Sequence, residues 1–179
     1  MKRETINKIA NFILTVITAF VSTFLMQSCM TLEILTAMRR IDLIVIHCTA
    51  SRPDQHISLE RLDKMHKARG WKCCGYHYYI TRDGQLHFGR PEEMVGAHAR
   101  HYNAHSIGIC YEGGLDEKGR AADTRTPAQK LTLYTLLVSL KQDYPDAEIV
   151  GHCELEGVHK ACPCFSVQPY RDYFKHLNQ

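Results

Sequence analysis

The run Leu43-Ile44-Val45-Ile46-His47-Cys48-Thr49 is the strongest structural signal in this chain. Residues 43–46 are all apolar and rich in β-branched side chains, which is typical of a strand buried on both faces. The polar residue His47 stands where this apolar run ends. The stretch therefore predicts a central β-strand that delivers His47 at its end.

Two helices have recognisable start and stop signals. Ser58 is a predicted N-cap and Gly70 a predicted C′ residue, so we expect a helix over roughly Leu59–Arg69. Thr126-Pro127-Ala128-Gln129 has the pattern of a capping box with proline at the first helical position, and Pro145 ends the second helix. Leu62, Met65 and His66 share one face of the first helix, and Leu133, Leu136, Leu137 and Leu140 of the second are expected to face the core.

Further strands alternate with these helices along the chain. Tyr76–Thr81 and Gln85–Phe88 flank Asp-Gly, a strong hairpin signal, and therefore predict an antiparallel pair. Ser106–Tyr111 and Glu148–Gly151 are predicted strands, and Pro169–Leu177 is a predicted last helix. The fold class that follows is α/β, with a mixed central sheet flanked by helices in a single domain.

Length and charge limit the classes of function. The chain has 179 residues, of which 45% are hydrophobic and 23% charged, so one domain with a real core is expected. The formal net charge is +3, and the sequence contains no lysine and arginine cluster of the kind that binds phosphates. We therefore expect no nucleic acid partner.

Residues 1–38 differ from the rest of the chain. They begin with basic residues, and the stretch 9–32 carries no charge. This pattern predicts a signal peptide or a membrane anchor, with Cys29 in a loosely lipoprotein-like context. The chain would then act in the cell envelope or be secreted. The alternative is that translation starts at Met38 and the upstream part is a wrongly assigned extension, which would make the protein cytoplasmic.

The eight cysteines favour reduced thiols over a disulfide framework. A domain of this size has enough apolar residues to form a core, whereas disulfide frameworks are typical of small secreted domains. Cys48 and Cys110 lie inside apolar runs, where a buried free thiol is the simpler interpretation. Cys73 and Cys74 are neighbours in the sequence and have no role that the sequence reveals.

Two histidines and one cysteine have the character of metal ligands. His47 and His152 both follow apolar strand-like runs, and a sheet can bring two strand ends side by side. Cys162 follows in the next loop, and a set of two imidazoles and one thiolate suits a catalytic zinc with an open coordination position. Cys153 and Cys164 are rival ligands, and a closed structural zinc with four protein ligands is also compatible with the pattern.

These residues belong to a longer series of motifs, and with it the chain resembles the type 2 N-acetylmuramoyl-L-alanine amidases. That family includes phage lysozymes with amidase activity and the peptidoglycan recognition proteins. The resemblance runs from about Ile41 to Phe165 and is strongest to the phage branch. Its landmarks, in order, are Val45-Ile46-His47-Cys48-Thr49-Ala50-Ser51, Gly75-Tyr76-His77-Tyr78-Tyr79-Ile80, Arg82-Asp83-Gly84, Gly96-Ala97-His98-Ala99, Asn103, Ser106-Ile107-Gly108-Ile109, Thr126-Pro127-Ala128-Gln129, His152 and Lys160-Ala161-Cys162-Pro163.

The resemblance implies a function and a ligand set. It implies that residues 39–179 form a zinc amidase domain that hydrolyses the bond between the lactyl group of muramic acid and L-alanine in peptidoglycan, a bacteriolytic activity. It also implies that His47, His152 and Cys162 hold Zn²⁺, with Cys162 preferred over Cys164 because the ligand cysteine of the family precedes the proline. The alternative is a recognition module that binds peptidoglycan without cleaving it.

The resemblance further implies roles for four other residues. Tyr76 and Lys160 would be catalytic, Lys160 as a fixed positive charge beside the oxyanion and Tyr76 as a hydrogen-bonding group. Without the resemblance they are an ordinary strand tyrosine and a solvated loop lysine. His98 and Asn103 would bind substrate, or orient a metal ligand from outside the coordination sphere.

This chain differs from some members of the family in the residue at one strand position. Cellular members can carry an acidic residue where Cys110 stands in this chain, and Glu112 follows two residues later. The sequence leaves open whether Glu112 takes over that acidic role.

Overall fold

A five-stranded mixed sheet forms the centre of the molecule in the computed structural model, which describes residues 39–177. The strands lie in the order β3-β2-β4-β1-β5. Neighbouring strands are parallel except for the antiparallel pair β2 and β3, which is the predicted hairpin. The prediction of a mixed sheet flanked by helices is confirmed. The strands are β1 Leu43–Cys48, β2 Tyr78–Ile80, β3 Leu86–Phe88, β4 Ser106–Tyr111 and β5 Glu148–Gly151.

Within residues 39–177, three α-helices accompany the sheet: α1 Leu59–Lys67, α2 Pro127–Asp143 and α3 Gln168–Leu177. The Ser58 hydroxyl accepts a hydrogen bond from the Arg61 amide at the start of α1, as predicted. The helix ends two residues earlier than expected, because the chain already turns at Ala68 towards Gly70, which has a positive φ. Of the three residues that share one face of α1, Leu62 and His66 are buried and Met65 is 41% exposed.

The alternating side chains of β1 divide the interior into two layers. Ile44 and Ile46 belong to the main core, together with the predicted leucines of α2 and with Phe174 of α3. Val45 and His47 lie on the opposite face of the sheet. His47 is therefore separated from the main core by the sheet itself.

Glu112 has a structural role that the sequence did not reveal. Its carboxylate is completely buried and accepts hydrogen bonds from the backbone amides of Ile57 and Arg82, both at 2.8 Å. The ring of His56 lies 3.1 Å from the same carboxylate. These contacts join β4 to the chain before α1 and to the hairpin turn. The carboxylate is therefore occupied by structural hydrogen bonds.

The predictions for residues 1–38 lie outside the described residues. Within residues 39–177, no helix combines the length and the apolar character needed to cross a membrane. The seven cysteines in this range are all free thiols, in agreement with the expectation of reduced cysteines.

Candidate metal centre

The parallel pairing of β1 with β5 places the two predicted histidine ligands side by side. Ile46 pairs with Gly151 in this register, so His47 and His152 both follow at the same edge of the sheet. Their ring centroids are 4.4 Å apart. His47 is only 1% exposed, whereas His152 is half-buried. One histidine is thus enclosed by the protein, and the other lies at the surface of the site.

Cys162 reaches the same edge from the loop after β5. Its Sγ lies 3.9 Å from Nδ1 of His47 and accepts a hydrogen bond from the Cys48 amide at 3.3 Å. Its carbonyl accepts a hydrogen bond from the Cys153 amide at 2.7 Å, which holds the loop against the end of β5. Both sides of the cysteine are therefore anchored to strand ends.

The three side chains fit a zinc ion. One ligand atom from each of His47, His152 and Cys162 lies within 4.8 Å of the other two. Two imidazole nitrogens and a thiolate are the ligand types that zinc prefers, and three protein ligands leave a position open for water or substrate. Among the residues 39–177, this is the group of histidine, cysteine and acidic side chains that converges in this way. The rival cysteines, Cys153 and Cys164, are not part of it.

A chain of hydrogen bonds behind His47 determines which of its two ring nitrogens carries the hydrogen and which keeps a free lone pair. Ser106 donates its hydroxyl hydrogen to the Tyr102 carbonyl at 2.7 Å, which leaves the Ser106 oxygen free to accept from Nε2 of His98 at 3.4 Å. Nδ1 of His98 then accepts a hydrogen bond from Nε2 of His47 at 3.0 Å. The lone pair of His47 is consequently on Nδ1, the nitrogen that faces Cys162.

The ring of His98 is closely packed against the backbone around it. A Cβ atom at Gly96 or at Gly108 would lie 2.5 Å from its ring, so glycine at both positions makes room for the imidazole. The side-chain oxygen of Asn103 accepts hydrogen bonds from the amides of His98 and Ala99, both at 2.9 Å. Whether His98 and Asn103 also touch substrate stays a prediction. The sequence pointed to His98 but assigned no role to Ser106, whose position opposite His98 follows from the pairing of β4 with β1.

The environment keeps the histidines of this cluster neutral. Burial lowers the pKa of His47 well below its usual value, and the neighbouring His98 and His152 lower it further. Burial also lowers the pKa of His152, and the positive charge of Lys160 adds to that effect. Only a neutral imidazole has the free lone pair that a metal ion requires. Lys160, although exposed, is thus close enough to act on the site electrostatically.

Tyr76 lies against His47 on the inner side of the site. Their ring centroids are 5.1 Å apart, with the planes inclined at 52°. Burial raises the pKa of Tyr76 well above its usual value, and the thiols of Cys110 and Cys162 raise it further. The phenol therefore keeps its proton at neutral pH and can donate a hydrogen bond.

An open cavity of about 310 Å³ adjoins the metal centre on the side of His152. Its polar lining includes Arg100, His101 and Glu156, and Leu155 and Val158 add apolar surface. A cleft with mixed lining beside a metal centre can accept a polar chain that carries short apolar side groups, such as a peptide.

Comparisons with known proteins agree with this geometry. Residues 37–165 match the family model described as N-acetylmuramoyl-L-alanine amidase. The endolysin of Escherichia phage T7 is 42% identical over 127 residues, which cover 71% of this chain and 83% of the phage protein. A peptidoglycan-recognition protein of Drosophila melanogaster is 32% identical over 126 residues, which cover 68% of this chain and 67% of that protein.

Solved structures share the fold as well. The endolysin N-acetylmuramoyl-L-alanine amidase LysCS from Clostridium intestinale superposes with a TM-score of 0.64 at 32% sequence identity, over 79% of this chain and 86% of that one. The matched region contains the sheet, the loop that carries Cys162 and all the landmark motifs. On the strength of the family model and of these relatives, the chain belongs to the type 2 family of N-acetylmuramoyl-L-alanine amidases.

Proposed function

We propose that this chain is a zinc-dependent amidase that cleaves peptidoglycan between the lactyl group of muramic acid and L-alanine, with residues 39–179 as the catalytic domain. The observation that carries the proposal is the convergence of His47, His152 and Cys162 in a chain of this family. The relatives named endolysin and amidase support peptidoglycan as the substrate.

The ligand set suits catalysis better than a purely structural metal. A zinc ion held there would polarise the scissile carbonyl and lower the pKa of a water molecule towards neutrality. Two neutral imidazoles and one thiolate would leave the site with a net positive charge. The buried His47 and the anchored Cys162 supply rigid ligands, whereas His152 borders the open cavity through which substrate would approach.

Lys160 and Tyr76 would both stabilise the transition state, Lys160 from the exposed side of the site and Tyr76 from its buried side. Lys160 is exposed, and its positive charge would stabilise the negative charge that develops on the carbonyl oxygen. The phenol of Tyr76 keeps its proton and would donate a hydrogen bond to an oxygen of the tetrahedral intermediate. The two residues thus provide a charge and a hydrogen bond to the same transition state.

His98 contributes through His47. By accepting the hydrogen bond from Nε2 of His47, it would hold the ring in the tautomer and the orientation that metal binding needs. Asn103 would in turn hold the backbone of His98 in place. This is the second of the two roles that the sequence left open for this pair.

The test is digestion of purified peptidoglycan by the zinc-loaded chain, with release of stem peptides that carry a new N-terminal L-alanine. We expect a metal chelator to stop the release and added zinc to restore it. The Cys162→Ala variant should be inactive, whereas Cys164→Ala, assayed under reducing conditions, should cleave like the wild type. Cleavage by Cys162→Ala at the wild-type rate would show that the metal assignment is wrong.

A recognition module is the second candidate, because a peptidoglycan-recognition protein is among the relatives. The same digestion separates the two functions: a recognition module would be retained on insoluble peptidoglycan but would release no new amino termini. The presence of Cys162, Tyr76 and Lys160 together favours the enzyme.

The expected place of action is the cell wall. If residues 1–38 act as a signal peptide or an anchor, the enzyme would reach the wall by export, and a membrane contact would be made through that segment. Mass spectrometry of the native protein tests this. A mature N-terminus at Met38 would exclude export by residues 9–32.

A further inference from the structure

Two thiols beside the metal centre face each other without taking part in it. The Sγ atoms of Cys48 and Cys164 are 3.6 Å apart, a distance at which no other atom fits between them. Cys48 follows the ligand His47 directly, and Cys164 stands two residues after the ligand Cys162. Each thiol is therefore attached to a segment that also carries a metal ligand.

The surrounding backbone holds the two thiols together. Cys48 is buried at the end of β1, and Cys164 is half-buried with a left-handed φ of 68°. Gly114 covers the pair from one side: a Cβ atom there would lie 2.5 Å from the Sγ of Cys48 and 3.4 Å from that of Cys164. Gly114 therefore closes the space on one side of the two sulfurs, and Cys164 stays partly accessible on the other.

The loop that carries Cys164 is otherwise held by only a few hydrogen bonds. The Cys164 amide donates to the Ala161 carbonyl at 2.6 Å within the loop, and the hydroxyl of Tyr111 donates to the Pro163 carbonyl at 2.7 Å. The Cys153 amide adds the contact to the Cys162 carbonyl. Within the part of the chain that the structure describes, no covalent link joins this loop to β1, although 116 positions of sequence separate Cys48 from Cys164.

We propose that Cys48 and Cys164 are a site of reversible disulfide formation, and that the disulfide fastens the loop at 161–165 to the end of β1. The bond requires the sulfurs to approach from 3.6 Å to the usual length of about 2.05 Å, a movement within the reach of side-chain rotation. Because the link joins the neighbours of His47 and Cys162, it would hold two metal ligands at a fixed separation. This consequence rests on the proposed metal centre.

The chemistry needs a disulfide oxidant, for which glutathione disulfide serves as the example. The more accessible Cys164 thiol loses its proton to solvent as it attacks the oxidant, forms a mixed disulfide and releases one glutathione thiolate. The Cys48 thiol then loses its proton, attacks the sulfur of Cys164 and displaces the second glutathione thiolate, and each released thiolate takes up a proton. The protein loses two electrons and two protons, and the oxidant becomes two molecules of reduced glutathione.

A second pair of thiols, Cys48 and Cys162, could also form a disulfide and would compete with Cys48 and Cys164. Cys162 is also close to Cys48, since its Sγ accepts the hydrogen bond of the Cys48 amide. A link between Cys48 and Cys162 would remove a metal ligand. Bound metal would occupy the sulfur of Cys162, so we expect the zinc-loaded protein to direct oxidation to Cys164.

The experiment is oxidation of the full chain, loaded with zinc, by glutathione disulfide, followed by alkylation of free thiols and peptide mapping by mass spectrometry. We expect a single new link between Cys48 and Cys164 and a mass lower by two hydrogens. Cys164→Ser and Cys48→Ala should both abolish it. Cys153→Ser, which removes an exposed thiol of the same region, should form the link like the wild type.

The second readout is the rate at which a strong chelator removes zinc. The oxidised protein should release zinc more slowly than the reduced protein, on the order of threefold, and Cys164→Ser should show no difference between the two conditions. A link to Cys162, or no link at all, would overturn the proposal, and equal zinc release would overturn the fastening role.

Neither readout involves peptidoglycan, so failure of this proposal and failure of the proposed function are distinguishable. A chain that forms the link but cleaves nothing would refute only the amidase assignment.

Discussion

The orientation of His47 is decided by residues that never reach the metal centre. The Ser106 hydroxyl donates to a backbone carbonyl, so its oxygen can only accept, and the ring hydrogen of His98 must lie on Nε2. Nδ1 of His98 is then an acceptor, so the ring hydrogen of His47 must also lie on Nε2. Partners of this kind commonly change metal affinity when they are removed, because the ligand ring loses its orientation. At the scale of the residue, the candidate site therefore extends beyond the three side chains that could hold a metal.

Removal of the His98 ring should weaken zinc binding. We expect His98→Leu to reduce zinc affinity by roughly 10- to 100-fold, measured by competition with a chromophoric chelator. His98→Asn places an amide oxygen near the position of Nδ1 and should lose less, because His47 keeps an acceptor. Equal zinc affinity in the leucine variant and the wild type would contradict the role of His98.

Lys160 should affect catalysis and not metal binding. We expect Lys160→Ala to lower kcat by about 10²-fold or more, since loss of one group that stabilises an oxyanion has effects of this size. Lys160→Arg should recover part of the rate, because it keeps the charge. Lys118→Ala, at another exposed lysine, is the control and should keep the wild-type rate. An unchanged kcat for Lys160→Ala would mean that the residue is only a surface lysine.

At the scale of the element, the helix start signal that the sequence predicts for α2 is present in the structure as hydrogen bonds. The Thr126 hydroxyl accepts from the Gln129 amide at 3.1 Å, and the Gln129 side chain accepts from the Thr126 amide at 3.0 Å, which completes the predicted capping box of α2. The Thr126 hydroxyl also donates to the Arg82 carbonyl at 2.8 Å. The cap therefore joins α2 to the hairpin turn as well as starting the helix.

Loss of this cap should destabilise the domain. We expect Thr126→Ala to reduce the free energy of unfolding by about 1–2 kcal/mol, measured by urea denaturation. Thr135→Ala, at an exposed position in the same helix, should change stability by less than about 0.5 kcal/mol. If the two variants were equally stable, the capping box would contribute nothing to the fold.

At the scale of the whole molecule, two buried histidines outside the metal centre connect its parts. Nδ1 of His66 accepts a hydrogen bond from the Gly75 amide, and Nδ1 of His77 accepts one from the Gly108 amide, both at 2.9 Å. Burial lowers the pKa of each from 6.5 to about 4. Protonation would cost the burial of a charge and would remove the acceptor that holds each backbone contact.

Stability should consequently fall in mild acid. Because the folded-state pKa lies below the unfolded one, the unfolded chain binds more protons between pH 6.5 and pH 4, and the free energy of unfolding declines as the pH falls through this window. At pH 5 we expect a loss of about 2 kcal/mol for each histidine relative to pH 7, measured by urea denaturation with a chelator present.

Substitutions can assign this pH dependence to its source. His66→Asn keeps an acceptor for the Gly75 amide but does not titrate, so its decline between pH 7 and pH 5 should be smaller by about 2 kcal/mol. His101→Asn, at an exposed position, should decline like the wild type. An identical decline in His66→Asn would show that the acid sensitivity arises elsewhere.

Predictions from the sequence succeeded where the signal is local. The bounds of β4 and β5 and the capping box of α2 agree with the structure, because alternation, apolar runs and cap residues act over a few positions. The end of α1 was expected at Arg69 but lies at Lys67, because the backbone already turns at Ala68. The role of Glu112 could not be predicted, because its partners lie 30 and 55 positions away in the sequence.

Local sequence signals were sufficient to predict the mixed α/β fold, the strands that place His47 and His152 at one edge of the sheet, and the residue types that suit zinc. Three features required the folded chain: Nδ1 of His47 faces Cys162, His98 and Ser106 enforce this tautomer, and the thiols of Cys48 and Cys164 meet. Strand ends and caps depend on neighbours along the chain. Hydrogen-bond direction and thiol pairing depend on contacts of 3.0 to 3.9 Å between segments that are far apart in the sequence.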